Sequence, residues 1–147
     1  MPIADFCHEQ PSVVRPGESL RTAARRMAED GVGCLVVVDD ERRPVGMITD
    51  RDVVMRGLRR RLDLDATPVS QVMTGDVTTI AGFIEREVAV RRLRAEGIRR
   101  IPVVDEAHRL VGIFSIDDAL QAFAECATEV AAVARSQFPE PGATRGA

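Results

Sequence analysis

Two short segments carry the residue types from which a binding site can be built: Thr49-Asp50-Arg51-Asp52 and Ser115-Ile116-Asp117-Asp118. Each sets a hydroxyl three residues before a carboxylate, just after a run of apolar residues. That spacing suits a capping box. The hydroxyl accepts the N–H three residues on, and the carboxylate reaches back to the cap's own N–H, with no ligand needed. The spacing also suits ligand chemistry. A helix N-terminus offers free N–H groups and a positive dipole to a phosphate. A carboxylate beside it can accept both hydroxyls of a ribose. The two readings use different atoms and are compatible.

Composition removes other chemistries. The 147 residues carry 20 basic and 23 acidic side chains, for a net charge of −3. Every basic residue is Arg, and Lys, Asn, Trp and Tyr are absent. Schiff-base lysines, phosphate-loop lysines and tyrosyl acids or nucleophiles are therefore excluded. Base stacking on Trp or Tyr is excluded too, and mild acidity argues against nucleic-acid binding by bulk charge. No nucleophile–base pair or glycine-rich phosphate loop argues for an enzyme. Cys7, Cys34 and Cys126 form no C-x-x-C pair, so a disulfide framework is not expected and a reducing cytoplasm is. His8 and His108 share no metal-binding spacing, and no metal site is expected. No apolar run is long enough to span a membrane, and the N-terminus does not read as a signal peptide.

The elements that must position Asp52 and Asp118 occur twice. An ungapped offset of 66 residues aligns Val13–Val53 with Thr79–Ala119, and 11 of the 41 pairs are identical. Val37-Val38-Asp39 falls on Val103-Val104-Asp105, Gly31 on Gly97, Gly46 on Gly112 and Asp52 on Asp118. In each half a short β run precedes an amphipathic stripe. Leu20, Ala23, Ala24, Met27 and Ala28 form the first, with Ser19 as cap and Gly31 as left-handed stop. Ala89, Val90 and Leu93 lead to Gly97 in the same way. Next come the buried-strand runs Cys34–Val38 and Ile101–Val104, a polar turn, a second strand, and a second helix from near Asp50 or Ile116. Gly46 and Gly112 lie inside strands, which implies close backbone packing or a bulge. The expectation is an α/β (α+β) fold of two β-α-β-β-α repeats, packed with pseudo-two-fold symmetry. The repeats are placed at 5–62 and 72–125, joined by a linker at 63–71. A helical extension follows at 126–138, with a flexible tail at 139–147. Leu120, Phe123, Ala127, Val130 and Ala134 are spaced 3, 4, 3, 4, as a short coiled-coil seam would be.

Gly-Ile-x-x-Ile-Pro-Val-Val-Asp followed by Leu-Val-Gly-Ile-Phe-Ser-x-x-Asp, in duplicate, resembles the cystathionine-β-synthase (CBS) domain pair. The second copy, Gly97 to Asp118, matches closely. The first departs at Val36, where Pro is usual, and Phe6-Cys7-His8 is a degenerate counterpart of Val72-Met73-Thr74. The resemblance implies a regulatory sensor, stand-alone and not an enzyme. It implies clefts between the repeats for an adenosine-containing ligand: AMP, ADP, ATP or S-adenosylmethionine. Carried over residue by residue, one site takes Asp118, Ser115, Arg100, Ile101, Pro102, Cys7, Pro11, Ser12 and Val13. The other takes Asp52, Thr49, Asp50, Arg51, Cys34, Leu35, Val36, Met73, Thr74, Val77 and Thr78. Arg100 matches a phosphate-holding position, and the guanidinium fork suits that role. Arg51 could supply charge at the Asp52 site, where its counterpart in repeat two is Asp117. The resemblance also implies a homodimer. Two alternatives remain: a ligand-free interaction module docking on an unidentified regulated protein, and nucleic-acid binding through Arg56, Arg59, Arg60 and Arg61.

Overall fold

The computed structural model describes residues 1–137. The expected tail at 139–147, and the last residue of the expected extension, lie outside the described residues.

A 3-10 turn at Ile3–Asp5 leads into β1 (His8–Glu9) and β2 (Val13–Val14). Then follow α1 (Leu20–Asp30), β3 (Cys34–Val38), β4 (Pro44–Thr49) and α2 (Asp50–Asp52), which continues as a π-helix over Val53–Leu58. A 3-10 turn at Val69–Gln71 opens the second half. Its elements are β5 (Thr74–Gly75), β6 (Ile80–Ala81), α3 (Arg86–Glu96), β7 (Arg100–Val104), β8 (Leu110–Ser115) and α4 (Ile116–Gln137).

Local chemistry explains these boundaries. The Ser19 hydroxyl accepts the Thr22 N–H, and α1 buries Leu20, Ala23 and Met27 on one face. Gly31 and Gly97 end α1 and α3 at φ 65° and 64°, where a side chain would be strained. The two β hairpins share one device. Asp39 accepts the N–H groups of Glu41 and Arg43 at 3.0 and 2.8 Å; Asp105 accepts those of Ala107 and Arg109, both at 2.9 Å. These side-chain turns hold Arg42 and His108 at positive φ.

The sheets are ordered β2-β3-β4-β5 and β6-β7-β8-β1. β2 runs parallel to β3 and β6 to β7, while the other pairs are antiparallel. The repeated unit supplies three strands to each sheet. The fourth is exchanged: β5, at the start of repeat two, pairs with β4, and β1, at the start of repeat one, pairs with β8. The exchange depends on the two strand glycines. A Cβ at Gly46 would lie 2.6 Å from Met73 Sδ and 2.8 Å from the Thr74 carbonyl oxygen. A Cβ at Gly112 would lie 2.5 Å from Cys7 Sγ and 3.1 Å from the His8 carbonyl oxygen.

Each half has its own core, one around Leu20, Leu35 and Ile48, the other around Leu93, Ile101 and Phe114. A third cluster of Val36, Val38 and Leu110 joins the halves, and the Leu110 N–H bonds the Arg42 carbonyl at 2.9 Å. The segment expected as a linker is folded onto the first half. Val69 and Val72 are buried in its core, with Leu62 and Leu64 packed beside them.

Arg26 ties α1 to its own lead-in. It donates to the Val13 carbonyl at 2.7 Å and to both oxygens of Glu18, at 3.0 and 3.1 Å. The bond from Arg26 holds the Glu18 carboxyl below its ordinary pKa. Its contribution to stability is therefore present above the unfolded-state pKa and lost as pH falls through the folded value. Arg26→Ala should cost about 1–2 kcal/mol in urea unfolding and flatten the acid limb of the stability profile. Gly46→Ala, which forces a methyl against a backbone oxygen, should cost about 1–3 kcal/mol by the same measurement.

Candidate ligand-binding cleft

A mainly apolar cleft of about 530 Å³ opens at the start of α2. Four pieces of chain meet there. The β4–α2 junction brings Thr49, Asp50, Arg51 and Asp52, and the start of β3 brings Gly33 and Cys34. β5 and the segment after it bring Thr74, Asp76, Val77 and Thr78, and the start of β7 brings Ile98, Arg99 and Arg100. Residues from both repeats thus line one cavity.

At the α2 end the capping box is complete. The Asp52 N–H bonds Thr49 Oγ1 at 3.1 Å, and the Thr49 N–H bonds Asp52 Oδ2 at 3.0 Å. The second oxygen, Oδ1, faces Arg56 Nε at a loose 3.8 Å and keeps capacity to accept a hydroxyl. Capping and ligand binding therefore do not compete for one atom. Arg51 and Arg100 add positive charge, balanced in part by Asp50 and Asp76. The Arg100 guanidinium lies beside the Cys34 thiol. Burial pushes the Cys34 pKa up, and Arg100 opposes that shift only in part. Cys34 is thus a poor nucleophile, a half-buried wall of the cleft.

Asp118 stands in different surroundings. Its Oδ2 accepts the Ser115 N–H and hydroxyl, both at 2.7 Å, and its own N–H bonds Ser115 Oγ at 3.2 Å. The adjoining hollow is about 300 Å³ and is lined by Asp5, Phe6, Cys7, Asp118, Gln121, Ala122 and Glu125. Three carboxylates and no cation face it, a poor setting for a phosphate. Burial also raises the Cys7 pKa, with nearby carboxylates adding to the shift.

The expected residues are therefore regrouped. Cys34, Thr49, Asp50, Arg51, Asp52, Thr74, Val77 and Thr78 come together as read from the sequence. Arg100, expected on the Asp118 side, lines the Asp52 cleft instead. It is the repeat-two counterpart of Cys34, and the two side chains meet where the β3 and β7 starts approach each other. Pro11, Ser12 and Val13 do not join Asp118. They line a separate charged hollow with Glu18, Arg26 and Asp30, where the Ser12 hydroxyl donates to Asp30 at 2.6 Å. Leu35, Val36, Ile101 and Pro102 are buried, and Met73 packs on the first core. They support the strands rather than face the cleft. Gly33, Met47, Asp76, Ile98 and Arg99 were not anticipated. Gly33, Met47, Ile98 and Arg99 flank motif positions at β3, β4 and β7, and Asp76, at φ 47°, follows the exchanged strand.

A family model described as CBS domain matches residues 3–58 and again 69–125. The chain belongs to the CBS domain family. A 17.7 kDa protein of Acidianus ambivalens is 35% identical over 116 residues, 79% of this chain and 69% of that protein. Hypoxic response protein 1 of Mycobacterium tuberculosis is 32% identical over 114 residues, 78% of this chain and 79% of that one. A Methanopyrus kandleri relative is 34% identical over 72% of this chain, which spans only 54% of that protein's length. Among solved structures, a CBS domain protein from Pyrobaculum aerophilum complexed with AMP superposes at TM-score 0.71. It is 28% identical, over 80% of this chain and 89% of that one. Hypoxic Response Protein I with two coordinated zinc ions superposes at TM-score 0.75, with 29% identity over 82% of this CBS pair and 98% of that chain. Among the described residues of this CBS pair, no group of three His, Cys, Asp or Glu side chains is placed to hold a metal ion. No helix among them is long and apolar enough to cross a membrane.

Two outcomes test this geometry. Thr49→Ala removes the α2 cap and should cost about 1 kcal/mol in urea unfolding. With a maleimide at pH 7, half-buried Cys34 should react far more slowly than in the urea-unfolded protein, read by peptide mass spectrometry.

Proposed function

We propose that this CBS pair is a regulatory sensor, not an enzyme, that binds an adenosine-containing ligand in the Asp52 cleft. AMP, ADP, ATP and S-adenosylmethionine are the ligand class. The observation that carries the reading is the cleft itself. One capped helix start holds a carboxylate oxygen ready for a hydroxyl, with three arginines at the walls and residues of both repeats around it. The family match and the AMP held by the Pyrobaculum relative support it. Asp52 Oδ1 would accept the ribose hydroxyls, Arg100 and Arg51 would face the phosphate, and Met47, Val77 and Ile98 would pack on the adenine. The acid-lined Asp118 hollow would leave a phosphorylated ligand to the Asp52 side.

A cytoplasmic homodimer is the setting of this reading. Val54, Met55 and Leu58 on the π-helix after α2 and Leu120, Phe123, Val130 and Val133 on α4 are exposed apolar side chains that a second copy would cover. Binding would act on a regulated partner by shifting how the repeats or the two copies pack.

Calorimetry with AMP, ADP, ATP, S-adenosylmethionine and adenosine tests the ligand. Arg100→Ala should weaken AMP about tenfold, about 1.4 kcal/mol, and leave adenosine nearly unchanged. Asp52→Ala should weaken both. No binding of any of the five at millimolar concentration by folded protein would overturn the reading. If Asp52→Ala changes stability alone, the carboxylate serves only as a cap.

A further inference from the structure

Arg51, Arg99 and Arg100 line the Asp52 cleft together with Asp50, Asp52 and Asp76, three charges of each sign. Its formal charge is therefore zero. A phosphate entering it gains from the guanidinium groups and loses to the carboxylates. Two of those carboxylates have local tasks. Asp52 closes the capping box, and Asp76 sits in a turn at positive φ. Asp50 is the third, and its position is specific.

The first three N–H groups of α2 are all taken. The Asp50 N–H bonds the Gly33 carbonyl at 3.0 Å, the Arg51 N–H bonds Asp50 Oδ1 at 2.7 Å, and the Asp52 N–H bonds Thr49 Oγ1 at 3.1 Å. The helix start that the sequence offers to a phosphate is thus filled from within, in part by a carboxylate. The other oxygen of Asp50, Oδ2, lies over Gly33. A Cβ at position 33 would stand 3.1 Å from it, closer than side chains ordinarily approach, so the glycine makes room for the carboxylate.

Repeat two lacks both partners. The 66-residue offset sets Arg99 on Gly33 and Ile116 on Asp50. The backbone bond is kept, with the Ile116 N–H on the Arg99 carbonyl at 2.9 Å. The junction therefore folds without the glycine and without the carboxylate. The two occur together where the junction lines the cleft that holds the arginines. Asp50 also faces the same point of that cleft as Arg100. Both act on the Cys34 thiol, the carboxylate pushing its pKa up and the guanidinium pulling it down.

We propose that Asp50 sets the charge selectivity of the Asp52 cleft: its carboxylate is a built-in anion that opposes a ligand phosphate and narrows the preference for phosphorylated over uncharged adenosyl ligands. The proposal rests on the adenosyl-ligand reading above and names the residue that grades those ligands by charge. Removing this acidic group from the cleft then strengthens phosphate binding, a gain that loss of a purely structural group does not produce.

Calorimetry of the full chain with AMP and adenosine tests it, on wild type, Asp50→Asn and Asp50→Ala. Asparagine keeps an oxygen for the Arg51 N–H and removes only the charge, whereas alanine frees that N–H as well. At low salt the AMP-to-adenosine affinity ratio should rise about fivefold in Asp50→Asn and at least as much in Asp50→Ala. At about 1 M salt, where charges are screened beyond about 3 Å, the rise should shrink to about twofold or less. A ratio that stays at the wild-type value or falls in both variants overturns the role of Asp50, while adenosine binding leaves the cleft reading standing. A rise in Asp50→Ala alone, or one that salt does not reduce, also overturns it, because the gain then does not come from the charge. Binding of neither ligand at millimolar concentration, by wild type or by either folded variant, overturns both this role and the cleft reading.

Discussion

Close approach of backbone at Gly46 and Gly112 is the constraint on which the rest depends. A sheet of three short strands leaves an edge and a face unsatisfied. Here each sheet takes its fourth strand from the lead-in of the other repeat, and that strand runs so near the glycine that a methyl would not fit. The exchange makes one folding unit of two similar halves. It also locates the clefts. Thr74 belongs to β5, and Asp76, Val77 and Thr78 follow it directly, so they reach the Asp52 cleft because β5 pairs with β4. Cys7 reaches Asp118 because β1 pairs with β8.

The duplication then diverges at the residues that line the two hollows. Both Asp52 and Asp118 cap their helices, so the structural role is kept twice. The surroundings differ. Arg51 has Asp117 as its counterpart, and Cys34 has Arg100. Because Cys34 and Arg100 meet side by side, the charge lost from repeat one is supplied across the junction by repeat two. The Asp52 cleft gains a cation, while the Asp118 hollow is left with carboxylates. Near-symmetry of backbone thus coexists with strong asymmetry of field.

Much of this was legible in the residues. The helices α1 and α3, their glycine stops and the strand β3 follow from periodicity and caps, which are local. The motif residues around Asp52 were legible because they lie on one strand–helix junction. What could not be read was anything set by the exchange. Strands β1 and β5 are two residues long and carry no alternation, so no pattern announces them. The placement of Arg100 is a matter of which cleft a long side chain enters, and the offset of 66 says only that it matches Cys34. Ile101 and Pro102 match motif positions too, yet strand alternation and the core claim their side chains. The linker reads as polar spacing, but Leu62, Leu64, Val69 and Val72 make it part of the first core.

A ligand can move an equilibrium only through groups that differ between its states. In the Asp52 cleft, Arg56 joins the carboxylate to the segment just before the exchanged strand. That guanidinium lies 3.8 Å from Asp52 Oδ1 and donates to the Val72 carbonyl at 3.2 Å, just before β5. A hydroxyl accepted by Oδ1 would share that oxygen with Arg56, whose remaining tie is to the segment that crosses between repeats. Under the proposed reading, occupancy at Asp52 would be linked, through one side chain, to the lead-in whose pairing at Gly46 holds the halves together. The link is local and polar, and it reaches the exposed face of α2 one turn away. The proposed sensor would need no long pathway, because the Asp52 cleft, the exchanged strand and the exposed helix share neighbours.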